Sequence, residues 1–129
     1  MSIFTRIIQG KIPGYKVAEN EEYFAFLDIR PNAKGHTLVV PKKEADKIFD
    51  LDMNTYTGLM QFSYRVAKAI EKTVSCKRVG MSVVGLEVPH THVHLIPINQ
   101  MADMQFVKKE TFSHEEFTAL ANAISENFV

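Results

Sequence analysis

The chain has no tryptophan, one cysteine and no net charge, and each of these shortages removes a class of protein. Cys76 alone cannot close an intrachain disulfide, so a disulfide-stapled scaffold is excluded. Fifteen Lys and Arg balance fifteen Asp and Glu, so no overall field points to nucleic acid or a membrane surface. An anionic ligand must therefore be held locally. No apolar run approaches the length of a membrane span. The opening MSIFTRIIQGK lacks the pattern of a secretory leader and, with the lone thiol, favours a cytoplasmic location. No repeat, low-complexity tract or Gly/Pro-rich linker divides the 129 residues, and a single domain over 1–129 is expected.

What is present is a row of histidines. VPHTHVHLIPI, residues 88–98, places His90, His92 and His94 at alternate positions among strand formers. On a pleated strand such residues share one face, leaving Thr91, Val93 and Leu95 for an apolar underside. Two chemistries use clustered imidazoles. A metal is disfavoured, because residues four apart on a strand are separated by about 13 Å, and no other ligand pair has suitable spacing. Phosphate chemistry fits better. One neutral ring attacks phosphorus while neighbours donate hydrogen bonds to its oxygens or protonate a leaving group, and close imidazoles disfavour each other's positive charge. His92, at the centre, is the natural nucleophile.

Around this row the sequence alternates short strands with three helical stretches. SIFTRIIQGKIP reads as a helix capped by Ser2 and stopped at Gly10. YKVAEN, YFAFLDI, HTLVVP, VGMSVVGL and HTHVHLIPI read as strands. From Asp52 to about Thr73, the residues Tyr56, Leu59, Met60, Ser63, Val66, Ala67 and Ile70 recur with helical spacing. Ser113 and Glu116 make a capping box for a last helix with Phe117, Leu120, Ala121, Ile124 and Phe128 on its face. The expected fold is α+β, an antiparallel sheet of about five strands backed by a main helix and flanked by terminal helices.

Taken together, HTHVHLI, SIFTRIIQGKIP, AFLDIRPNAKGHTLVVPKK and GLEVPH resemble, in kind and order, the histidine triad family of nucleotide-binding hydrolases and transferases. The likeness runs from about Ser2 to Asn99. It implies that His92 attacks an α-phosphate, that His94 donates to a phosphate or leaving-group oxygen, and that His90 supports the central ring through its carbonyl. His36 matches a position beside the triad. Asp28 matches a carboxylate that accepts from both ribose hydroxyls, though without the resemblance it reads as a cap before Arg30 and Pro31. Ile3, Phe4, Ile7, Phe26, Leu27 and Ile29 match an apolar wall around base and sugar. Gly85 matches a close approach of backbone to phosphate.

The sequence departs from the family in three places. SIFT stands where one branch has Cys-x-x-Cys, so the zinc site of that branch is not expected. No asparagine occurs between Val74 and His90, and Glu87 stands where a serine is usual near the phosphate. The resemblance implies a hydrolase releasing a nucleoside monophosphate, AMP foremost, from a phosphoramidate or phosphate-linked group, without metal or other cofactor. Its partner would be a purine nucleotide or nucleotide conjugate, not nucleic acid or membrane, and the protein would be a homodimer through the sheet edge and main helix. A nucleotidyl transferase is the nearest alternative, against which His94 argues because that branch has glutamine there. A nucleotide-binding regulatory module with little turnover is the other.

Overall fold

The computed structural model describes residues 1–129. Ser2 accepts from the backbone N–H of Thr5 and so starts α1 at Ile3–Ile8, and Gly10, at φ 77°, turns the chain out of the helix. Strands β1 (Lys16–Glu19), β2 (Tyr23–Leu27) and β3 (Thr37–Pro41) follow. Asp52 caps α2 (Met53–Thr73). Strands β4 (Arg78–Ser82) and β5 (Val93–Ile98) complete the sheet, and the Ser113–Glu116 capping box opens α3 (His114–Glu126). The sheet order is β1-β2-β3-β5-β4, antiparallel at every pairing.

The two faces of this sheet do different work. Val17, Ala25, Leu27, Val39, Val93 and Leu95 point to α2 and α3 and form the main core with Leu59, Phe62, Val66, Ile70, Leu120 and Ile124. The opposite face carries a smaller cluster in which Phe4 of α1 sits on Phe24, Phe26, Leu38 and Val40. Consecutive strand residues point to opposite faces, so Phe26 lies under α1 and Leu27 under α2. The site grows on the α1 side. The buried stripe of α2 is rotated relative to the expected one: Phe62 and Ala69 are fully buried, while Tyr56, Met60 and Ala67 are only half-buried. The cause is α3, whose trailing Phe128 meets Phe62 at 5.4 Å between ring centroids.

Two strands are shorter than their sequences suggest. β5 begins at Val93, so His90 and His92 precede the ladder instead of belonging to it. Continuing the register that pairs Leu38 with His94 and Val39 with Val93 would set Val40 against His92 and then Pro41 against Thr91. Pro41 has no N–H to give, and its carbonyl is taken by the side chain of His90 at 2.7 Å. β4 likewise ends at Ser82, opposite His94, and the expected strand residues Val83 to Leu86 leave the sheet.

Candidate active site

The residues that approach from both sides of the sheet's end enclose a cleft of about 470 Å³. Its floor is His92 and His94. One wall is Ile3, Phe4 and Leu38, another is the segment Val84–Val88, and a third is Asp28, Ile29 and Arg30 with Phe106 and Lys109. Of the residues singled out in the sequence, Ile3, Phe4, Asp28, Ile29, Gly85, Glu87, His92 and His94 line it. Phe26 and Leu27 do not, and Ile7 packs on the Phe4 cluster behind the wall. His36 and His90 are fully buried behind His94 and His92. Gly85 has φ 74° with nothing nearer than 3.9 Å to an added Cβ, so backbone conformation, not lack of space, is what asks for glycine.

Aromatic packing aligns the floor. Phe4 meets the His92 ring edge-on at 4.9 Å, His92 meets His94 at 4.9 Å, and His94 meets Phe106 at 4.7 Å.

Hydrogen bonds decide where each proton sits. The backbone N–H of Asn32 donates to His36 Nδ1 at 2.9 Å, so that nitrogen is bare. Burial first, then the charge of Lys109 and the neighbouring His92, lowers the His36 pKa to about 3 and keeps the ring neutral. Its proton is therefore on Nε2, which donates to His94 Nδ1 at 2.9 Å. His94, also pushed to about 3 by burial and then by His36, must carry its own proton on Nε2. On the other flank, His92 Nδ1 donates to the carbonyl of His90 at 2.8 Å, which leaves the lone pair of the neutral ring on Nε2. A bare nitrogen and an N–H thus stand side by side on the floor of one cleft.

His90 is held by a cluster that sequence spacing did not disclose. Its Nε2 donates to Pro41, and its Nδ1 accepts from the Ser2 hydroxyl at 2.6 Å. Ser2 N–H and the Thr5 hydroxyl both donate to Glu44, the latter at 2.7 Å. These bonds hold the Glu44 carboxyl at about 2, well below its ordinary value. Ser2 and Thr5 occupy the Cys-x-x-Cys positions, and their hydroxyls, engaged in these bonds, are not the thiolate donors a structural zinc takes. A second grouping, Asp28, His36 and His94, brings three ligand atoms within 4.8 Å of one another. The 2.9 Å between the imidazole nitrogens is a hydrogen-bond length, shorter than the roughly 3.3 Å that two nitrogens span on a tetrahedral zinc.

Asp28 uses its two oxygens differently. Oδ1 accepts from the Arg30 N–H at 2.8 Å, the capping role, while Oδ2 lies 3.6 Å from His36 Nε2. Glu87 is exposed at the cleft wall and forms no ion pair within 4.0 Å.

The chain is similar to known proteins in sequence and in fold. The HIT domain family matches residues 9–101. Adenosine 5'-monophosphoramidase HNT1 of Saccharomyces cerevisiae is 38% identical over 96 residues, 74% of this chain and 61% of that protein, so the match spans only part of it. An uncharacterized HIT-like protein of Borreliella burgdorferi is 32% identical over 97% of this chain and 96% of its own length. The crystal structure of a HIT-like protein from Bartonella henselae superposes with a TM-score of 0.86 at 28% identity, covering 98% of this chain and 96% of that one. With its triad, fold and sequence in agreement, the chain belongs to the HIT domain family, the histidine triad proteins.

Proposed function

We propose that the protein hydrolyses nucleotide conjugates, releasing a nucleoside monophosphate, AMP foremost, from a phosphoramidate or phosphate-linked leaving group. One observation carries the reading: the bare Nε2 of His92 and the Nε2–H of His94 share the floor of a cleft with an apolar wall. His92 Nε2 attacks the α-phosphorus while His94 Nε2–H donates a hydrogen bond to the leaving nitrogen or oxygen, which is protonated from water as its bond to phosphorus breaks. The positive charge that builds up on the His92 ring is met by the bond from Nδ1–H to the His90 carbonyl, which stabilises the cationic nucleotidyl-histidine. Water then attacks phosphorus and loses its proton to solvent, and His92 leaves with its lone pair restored.

The relatives support this class of substrate, since the yeast relative is a monophosphoramidase of adenosine nucleotides by name. Ile3, Phe4, Ile29 and Leu38 supply apolar surface for base and sugar, and Asp28 Oδ2 is the carboxylate oxygen left over for ribose hydroxyls. The test is release of AMP from an adenylated amine and from a dinucleoside polyphosphate, by the protein and by His92→Ala. Turnover by the protein and none by the variant supports the reading. Tight nucleotide binding with no turnover would make it a regulatory module.

The protein further reads as a homodimer. Tyr64 on α2 is 66% exposed and Met81 on the edge strand β4 is 55% exposed, apolar surface at the two elements expected to pair. Sedimentation at micromolar concentration as a 14.7 kDa species would refute the dimer.

A further inference from the structure

The family match ends at residue 101, yet two side chains of the cleft lie beyond it. Phe106 and Lys109 belong to the stretch between the 3-10 turn Met101–Met104 and α3. That stretch is tied down at two points. The Asn32 side-chain amide donates to the carbonyl of Asp103 at 3.1 Å, and the Glu110 N–H donates to the carbonyl of Pro31 at 2.8 Å. Both ties hold it against the loop that joins Asp28 to His36, and the side chains between them reach the cleft on its His94 side. Phe106 meets His94 edge-on, and the Lys109 ammonium lies 5.1 Å from the centre of the Phe106 ring.

Lys109 is half-buried and short of partners. Of its three donors one is used, on the Asn32 side-chain oxygen at 2.9 Å, and no carboxylate lies within 4.0 Å. A partly desolvated ammonium with idle donors, facing a cleft, is arranged for an anion. The anion is not the α-phosphate alone, because the floor that meets phosphorus is His92 and His94, and Phe106 stands beyond His94.

We propose that Phe106 and Lys109 form a subsite for the leaving group, in which Lys109 pairs with an anionic group carried beyond the scissile bond. The proposal rests on the hydrolase reading above, which places the leaving group at His94. The anionic group is a carboxylate, as on an amino acid joined to the phosphate through nitrogen, or a further phosphate, as in a polyphosphate. Leaving groups without charge engage Phe106 only.

The experiment compares three substrates: AMP joined through nitrogen to an amino acid, the methyl ester of that conjugate, and a dinucleoside polyphosphate. Each is measured with the protein, Lys109→Met and Lys109→Arg. The protein should favour the free acid or the polyphosphate over the ester in kcat/KM. Lys109→Met should shrink that preference roughly 10- to 100-fold, the effect of losing one charge-assisted bond, and Lys109→Arg should keep most of it. A fall confined to the acid identifies a carboxylate, and one confined to the polyphosphate a phosphate. An equal loss for all three would mean that Lys109 acts on the imidazoles through Asn32, and no loss would mean that it faces solvent; either overturns the proposal. Equilibrium binding of the same ligands to His92→Ala reads the charge preference without turnover, so failure of this subsite and failure of the hydrolase reading give different results.

Discussion

His36 Nε2 and His94 Nδ1 lie 2.9 Å apart, and a backbone N–H four residues before His36 decides which of them holds the proton. The relay runs Asn32 N–H, His36, His94, and ends in an N–H on the cleft floor. His36 touches no substrate on this account; it is a positioning residue whose value lies in the tautomer it imposes.

His36→Phe keeps a ring but deletes both nitrogens. The Asn32 N–H would then lack its acceptor in a buried site, at a cost of roughly 1–3 kcal/mol in stability. His94 would no longer be held in one tautomer, and kcat should fall by up to about 100-fold, the order of one hydrogen bond to a developing charge. Stability should also change with pH in a defined direction. A histidine held at about 3 when folded, against 6.5 as its ordinary value, binds its proton more readily unfolded, so acid destabilises the fold from pH 6.5 downwards. The limiting slope is about 1.4 kcal/mol per pH unit for His36. Urea unfolding at pH 7 and pH 5 should show the gap between the protein and His36→Phe narrowing on acidification; a constant gap would show that His36 is not held neutral.

Glu44→Gln probes the other flank. The carboxylate of Glu44, held at about 2 by Ser2 and Thr5, contributes stability above its ordinary 4.5 that is lost as pH falls from 4.5 towards 2. The stability difference between protein and variant should therefore be present at pH 6 and fade by pH 2 to 3. If it is the same across that range, the Ser2–Thr5–Glu44 contacts contribute nothing in solution.

Asp28→Ala should weaken AMP binding by roughly 1–3 kcal/mol, the range for hydrogen bonds to a charged acceptor. A 2′,3′-dideoxy nucleotide has no hydroxyls to lose and should bind both forms alike. Calorimetry showing equal losses for the two ligands would assign Asp28 to capping the Arg30 N–H alone.

Glu87→Gln should lower the ratio of kcat/KM for an adenylated amine over that for a dinucleoside polyphosphate, because a carboxylate on the cleft wall attracts a cationic leaving group and repels an anionic one. At about 5 Å and an effective dielectric of 20 the repulsion is roughly 3 kcal/mol, an upper bound for an exposed side chain. An unchanged ratio would show Glu87 turned to solvent.

The parts of the site legible in the sequence are those set by local periodicity. Alternation brings His92 and His94 to one face, and SIFT with its Ser2 cap puts Phe4 on α1 above them. Alternation also misled. It extended β5 back through His90, because nothing local says that Pro41, forty-nine residues earlier, withholds the donor the ladder needs there. The family resemblance put Phe26 and Leu27 together in one wall, although neighbours on a strand cannot share a face. Glu44 and Lys109 gave no signal at all. Each sits in an irregular segment and acquires meaning only from partners 39 and 77 residues away.

Attack by His92 on phosphorus is tested most directly by the stereochemical course at a substrate made chiral at its α-phosphorus. Two displacements, first by His92 Nε2 and then by water, invert twice and predict net retention in the released nucleoside monophosphate. Net inversion would mean that water attacks the substrate once and directly, and would contradict the nucleotidyl-histidine.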